Sequence, residues 1–189
     1  MKPWSEALIA GAIARQTFKS RYLMAVPNCI WTGHECDLLV VTDDLRLIDV
    51  EVKISRADLK ADAKKTKWWE TYFFDPSIGR HTRRDPPLPR SHPPKVWKHY
   101  YAMPKEIWSK DLESCLPSPT SGVILLDRDS YPRPPGASMN VGVARRATPN
   151  RDAQPITAQA AVDIARLASL RMWDALKALE AAREEKETL

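Results

Sequence analysis

No apolar run in this sequence approaches the roughly 18 residues that a membrane-spanning helix requires, so no membrane segment is expected. The N-terminus lacks the charged-then-apolar form of a signal peptide. Cysteine is scarce: Cys29, Cys36 and Cys115 are an odd number without CxxC spacing. That speaks against a disulfide framework and for a reducing, cytoplasmic setting. No internal repeat is visible, and no Ser-His or Cys-His arrangement of a nucleophilic hydrolase stands out. What is present argues for a packed protein. Hydrophobic residues make up 43% of the 189, seven of them Trp, which excludes global disorder. The length fits one domain over residues 1–189 with a real core.

The chain is organised around a predicted β-hairpin. Asp37-Leu38-Leu39-Val40-Val41-Thr42 forms one strand, Asp43-Asp44 turns, and Leu47-Ile48-Asp49-Val50-Glu51-Val52-Lys53-Ile54 forms the other. Strand side chains alternate between faces. Ile48, Val50, Val52 and Ile54 therefore make an apolar row, while Leu47, Asp49, Glu51 and Lys53 face a cleft or water. Asp37 opens the neighbouring strand and can bring a second carboxylate close to Glu51. Two carboxylates with a backbone carbonyl and waters make a hard-oxygen site of the kind Mg²⁺ prefers. A lysine beside such an ion can orient a water or hold the charge of a phosphate in its transition state. The bland alternative is a surface ion pair between Glu51 and Lys53, worth under about 1 kcal/mol. His34 and Cys36 lie close by, but no second Cys or His pair has zinc-like spacing, so zinc is not expected.

The net charge of +5 is unevenly placed. Residues 53–98 hold twelve Lys and Arg against five acids, a local excess of seven, which leaves the remainder near −2. A basic window directly after a candidate site suits a polyphosphate such as DNA; a solvated face is the other reading. Ser55 can cap a helix over 55–72, on which Lys60, Lys64 and Lys67 form one basic stripe. Residues 76–95 hold six of the sixteen prolines together with Arg80, Arg83, Arg84 and Arg90. This segment cannot form a helix or a central strand. It reads as a basic, proline-rich loop insertion that either lies along a nucleic-acid backbone or acts as a tether. His81, His92 and His99 are expected at the surface.

The remaining pattern predicts a helix over 3–18, a strand over 21–31 confined to an edge or bulge by Pro27, and a strand over 96–103. A short helix over 105–116, a buried parallel-type strand over 123–126 and a strand over 140–145 follow. A C-terminal helix over 157–185 carries Ala161, Ile164, Ala168, Ala175, Leu176 and Leu179 on its apolar face. A proline-rich turn is expected over 131–136. The order describes an α/β protein, a mixed sheet flanked by helices.

Asp37 followed by Glu51-Val52-Lys53 resembles the active-site signature of the PD-(D/E)xK nuclease superfamily. The longer run Glu51-Val52-Lys53-Ile54-Ser55-Arg56-Ala57-Asp58-Leu59-Lys60-Ala61-Asp62-Ala63-Lys64 is similar to MmcB-type DNA-repair proteins. So are Tyr100-Tyr101-Ala102-Met103-Pro104 and Ser121-Gly122-Val123-Ile124-Leu125-Leu126-Asp127. The likeness spans most of residues 1–175. Two departures stand out: Cys36 replaces the proline of the superfamily name, and 76–95 resembles an insertion. The resemblance implies a restriction-endonuclease-like αβββαβ core and a Mg²⁺- or Mn²⁺-dependent deoxyribonuclease acting in DNA repair or processing. Asp37 and Glu51 would hold the metal with the backbone carbonyl of Val52, and Lys53 would position or deprotonate the attacking water. Glu6 is a further candidate ligand, because related nucleases often place an acid of the first helix near the metal; an acid favoured by the helix dipole explains it equally. Lys60, Lys64, Lys67, Arg80, Arg83, Arg84 and Arg90 would contact DNA. The alternatives are a catalytically inactive DNA-binding accessory protein with the same fold, or a regulatory module that recruits a protein partner through the proline-rich segment.

Overall fold

A computed structural model describes residues 3–18, 21–134 and 137–187. The first helix, α1 (Glu6–Gln16), starts where Ser5 Oγ accepts the amide of Leu8 at 3.4 Å, an ordinary N-cap. Its spacing of Ile9, Ala12 and Ile13 makes one apolar face, which packs on Leu38, Val40, Ile48, Val50 and Val52.

Six strands form the main sheet: β1 (Tyr22–Cys29), β2 (Cys36–Thr42), β3 (Leu47–Val52), β6 (Lys98–Pro104), β7 (Gly122–Asp127) and β8 (Asn140–Arg145). They lie in the order β1-β2-β3-β6-β7-β8. The first three run as an antiparallel meander, β3, β6 and β7 are parallel, and β8 returns antiparallel. Pro27 sits on β1, an edge strand, where proline is tolerated. The sheet is mixed and flanked by helices, and helix, three strands, helix and strand follow in the αβββαβ order. β7 and β8 extend it. Two residues of the expected 131–136 turn, 135 and 136, lie outside the described residues.

The C-terminal helix, α3 (Ala158–Glu187), begins where Thr157 Oγ1 accepts the amide of Ala160 at 3.1 Å. Its first half covers the opposite face of the meander, with Ala161, Ile164, Leu167 and Ala168 packed on Val26, Leu39, Val41 and Leu47. Beyond residue 168 the expected apolar face is not covered by described residues. Trp173, Leu176 and Leu179 are exposed. No helix among the described residues is long and apolar enough to cross a membrane.

Three expectations require correction. The helix over 55–72 is cut short: α2 (Arg56–Ala61), with Ser55 as its N-cap, gives way to 3₁₀ turns at Asp62–Lys64 and Thr66–Trp68 with an extended Lys65 between them. Burial of Asp62, Lys67 and Trp68 against the sheet, with Trp68 Nε1 donating to Asp62 Oδ2 at 3.0 Å, overrides helix propensity. The segment 76–95 is no featureless loop. It supplies β5 (Arg80–Pro89), which pairs antiparallel with β4 (Trp69–Asp75) in a separate two-stranded sheet. Both strands of such a ribbon are edges, which is where prolines are tolerated. The helix over 105–116 is a 3₁₀ segment, Lys110–Cys115.

Candidate functional site

The alternation of β3 places its side chains as its sequence demands. Ile48, Val50 and Val52 enter the core under α1, while Asp49 and Glu51 project from the opposite face. The strand ends at Val52, so Ile54 leaves the expected apolar row and is exposed. The face of Asp49 and Glu51 is not open to water or a cleft, as its charges suggested. Asp49 and Glu51 are fully buried, and Lys53 is 2% exposed. The chain from Ser55 to Trp68 folds over them and supplies the compensating charges. Burying carboxylates is costly unless they are paired and hydrogen-bonded, and here each is.

Glu51 Oε1 accepts Lys67 Nζ at 2.6 Å, and its Oε2 accepts Lys53 at 3.0 Å and Lys65 at 2.7 Å. Asp62 Oδ1 lies 2.9 Å from both Lys53 and Lys65, and its Oδ2 accepts Tyr101 OH at 2.6 Å and the indole of Trp68. Asp49 Oδ2 is 3.2 Å from Lys67 Nζ and 3.2 Å from His34 Nε2. Burial alone would raise the pKa values of these acids. That effect is the largest single one at each, but it is outweighed together by Lys67, His34 and His99 at Asp49, by Lys67 and Lys53 at Glu51, and by Lys53, Lys67 and Tyr101 at Asp62, so all three are held below the usual carboxylate range. Burial likewise disfavours the charged lysines, but their acidic neighbours win and Lys53, Lys65 and Lys67 stay firmly protonated.

Asp37 joins this cluster from β2. The antiparallel register pairs Leu38 with Val50 and Leu39 with Asp49, which brings Asp37 level with Glu51. Its Oδ2 accepts the amide of Val52 at 2.7 Å. Half burial, and then the charge of Glu51, push its pKa up to about 6, against the pull of the Val52 amide and Lys53. The charge of Glu6 at the start of α1 also reaches it. Asp37, Glu51 and Lys53 therefore converge, with Glu6 at their margin.

The other expected residues divide. Lys60, Lys64, Arg80 and Arg83 are exposed. Arg84 lies 3.7 Å from Glu70 and over the Phe73 ring, and Arg90 is half-buried, with its amide on the Trp68 carbonyl. Lys67 is the correction: because the helix ends at Ala61, the 60–64–67 stripe never forms and Lys67 turns inward. His99 is also buried rather than at the surface. Burial first, and then Lys67, push its pKa down to about 3. Asp49, Asp62, Lys65 and Tyr101 were not among the expected site residues. The alternation that paired Glu51 with Lys53 also put Asp49 on their face, and was the available signal. Asp62 and Lys65 carried none. The β4–β5 ribbon adds exposed Trp69, Tyr72 and Phe74 to its arginines.

Comparison with known proteins places the fold and no more. No family model matches the chain, and no curated protein is similar to it in sequence. Among solved structures, a protein of unknown function from Silicibacter pomeroyi, SPO1766, is similar with a TM-score of 0.54 and 15% identity over 95% of this chain and 94% of that one.

A hard divalent cation is compatible with the donors at the Asp37 end. Asp49, Glu51 and Asp62 are balanced by Lys53, Lys65 and Lys67, whereas Asp37 and Glu6 add carboxylates without adding a cation. Each carboxylate oxygen can accept about two bonds, and Glu51 Oε1 accepts one.

Proposed function

We propose that this protein is a metal-dependent DNA nuclease of PD-(D/E)xK type, hydrolysing phosphodiester bonds in DNA repair or processing. The observation that carries the reading is the convergence of Asp37, Glu51 and Lys53 at one end of the central hairpin, with carboxylate in excess on the Asp37 side. Asp37, Glu51 and the Val52 carbonyl would hold Mg²⁺ or Mn²⁺, with Glu6 as a further candidate. The ion would supply Lewis-acid polarisation and a water of lowered pKa. Lys53, kept protonated between Glu51 and Asp62, is suited to hold a phosphate oxygen by its charge rather than to remove a proton. Lys65, whose side chain is 47% exposed, closes the solvent side of Glu51 and must swing outward for a phosphate to approach.

DNA would be held by Lys60, Lys64 and the arginines of the β4–β5 ribbon, with Trp69, Tyr72 and Phe74 as stacking surfaces for bases. Replacing Arg80, Arg83, Arg84 and Arg90 with alanine is expected to weaken DNA binding. The log-log salt dependence should flatten by about 0.9 for each duplex phosphate that is no longer neutralised. An unchanged slope in filter binding across a salt series would remove the ribbon from the interface.

A second reading has its own support. A buried acid–lysine cluster with matched charges holds the chain together without any chemistry, and it favours a DNA-binding accessory protein that does not cleave. Incubation with Mg²⁺ or Mn²⁺ on linear, nicked, flapped and single-stranded DNA separates the two. Metal-dependent product on any of these substrates is the nuclease result. Salt-sensitive binding without product on all of them is the accessory result.

A further inference from the structure

The buried face of the sheet holds a second group of donors that the proposed nuclease chemistry does not use. His34 Nε2, Cys36 Sγ and an Asp49 carboxylate oxygen all lie within 4.8 Å of one another. His34 Nε2 is 3.2 Å from Asp49 Oδ2, and His99 Nε2 approaches the same oxygen at 3.8 Å. Two of these side chains are fully buried yet incompletely satisfied: Asp49 Oδ1 and His99 Nε2 have no hydrogen-bond partner. Buried polar atoms are nearly always paired, so two orphans at one spot call for a ligand. The other His99 nitrogen, Nδ1, is fixed by Ser121 Oγ at 3.0 Å, which aims Nε2 at the cluster. A metal-binding histidine is commonly oriented this way, through its second nitrogen.

The geometry points to a structural zinc site formed by His34, Cys36 and Asp49, with His99 outside this trio but facing its Asp49 edge from 3.8 Å. Metal bonds of about 2.0–2.3 Å at tetrahedral angles set donors roughly 3.3–3.8 Å apart, so a trio within 4.8 Å of one another needs only a small contraction to hold an ion. A thiolate and an imidazole select Zn²⁺ over Mg²⁺ or Ca²⁺, which prefer oxygen. The trio leaves a fourth tetrahedral position, which the orphaned Nε2 of His99 is placed to close by a shift on loading; with Cys36, Asp49 and His99 all buried, no substrate reaches the ion and the role is structural. Asp49 retains Lys67 on Oδ2, so its unpartnered Oδ1 is the oxygen offered to the ion. Loading displaces the Cys36 thiol proton to solvent as the Zn–S bond forms, and His34, with a side chain 12% exposed, is the entry point. The ion would tie the turn before β2 and the start of β2 to β3. This site is distinct from the Asp37 end of the hairpin and does not depend on the nuclease reading.

The test uses the full chain, stripped with a chelator, shown to be folded by circular dichroism and titrated with Zn²⁺ against a chromophoric competitor. Co²⁺ then serves as a spectroscopic probe. One Zn²⁺ per chain, a rise in melting temperature on loading and a thiolate-to-Co²⁺ charge-transfer band are expected. Cys36→Ser should abolish the band, whereas Cys115→Ser and Asp37→Asn should leave it. His34→Gln, a change close to the surface that spares the core, should weaken Zn²⁺ binding by more than the roughly 10–100-fold typical of second-shell losses. A folded wild type that binds no Zn²⁺ would overturn the site and leave the cluster a hydrogen-bonded one. So would a band that survives Cys36→Ser, or an affinity untouched by His34→Gln.

Discussion

Lys67→Met is expected to destabilise the protein by about 3–5 kcal/mol, the cost of leaving a buried charge uncompensated. Lys67 is 5% exposed and touches two fully buried acids, Asp49 and Glu51. Methionine fills similar volume but leaves both carboxylates facing each other with one fewer cation. Against a typical domain stability of about 5–15 kcal/mol, that is a large fraction. With a urea m-value of about 1–3 kcal/mol/M, the midpoint should fall by on the order of 2 M. Lys65→Met makes the contrast. Its ammonium also touches Glu51 and Asp62, but its side chain is 47% exposed, water can replace it, and the loss should be within about 1 kcal/mol. Combining Glu51→Gln with Lys67→Met should recover part of the loss, because one of the stranded charges is removed. Equal, small effects at Lys65 and Lys67 would mean that water reaches the cluster.

The contrast between these two lysines also marks where the sequence was legible. The period of two in residues 47–53 fixed β3, separated Glu51 and Lys53 from the apolar row and put Asp49 beside them. The apolar run at 123–126 correctly announced a buried parallel strand, and Pro27 an edge. Exposure was what the pattern could not decide. A charged face reads as a wet face until its counter-charges are located, and those come from Lys65 and Lys67 on a segment whose own composition favours a helix. Only the pull of Asp49 and Glu51 on Lys67, and of the sheet on Trp68, ends that helix at Ala61. The same blindness applies to 76–95. Six prolines exclude a central strand but not a two-stranded ribbon, both of whose strands are edges. His34 and Cys36 are neighbours in sequence, but Asp49 and His99 come from two further segments that the fold alone brings to them, so no metal-ligand spacing could be read.

Asp37→Asn is expected to cost activity heavily while leaving the fold intact. The amide is nearly isosteric, and its oxygen can still accept the Val52 amide that Asp37 Oδ2 accepts at 2.7 Å. The substitution removes one negative charge from the end of the hairpin where carboxylates outnumber ammonium groups, and it leaves Glu51 with all three lysines. Stability should therefore stay close to wild type or rise, since a half-buried carboxylate facing Glu51 is relieved. Cleavage should fall by a factor on the order of 10²–10³ or more, the scale on which loss of one electrostatic contributor is felt, and metal affinity should fall with it. Glu51→Gln should abolish turnover too, but it strands the ammonium groups of Lys53, Lys65 and Lys67 around a neutral amide and confounds folding with chemistry. Asp37→Asn avoids that confusion. DNA binding in metal-free buffer should persist in both variants, because the ribbon arginines lie outside the cluster. The measurements are single-turnover cleavage, metal titration and filter binding on wild type and Asp37→Asn, after thermal melts confirm folding. Wild-type cleavage that survives Asp37→Asn would move the chemistry away from this hairpin, whereas binding without cleavage in wild type would leave the acid–lysine cluster a purely structural role.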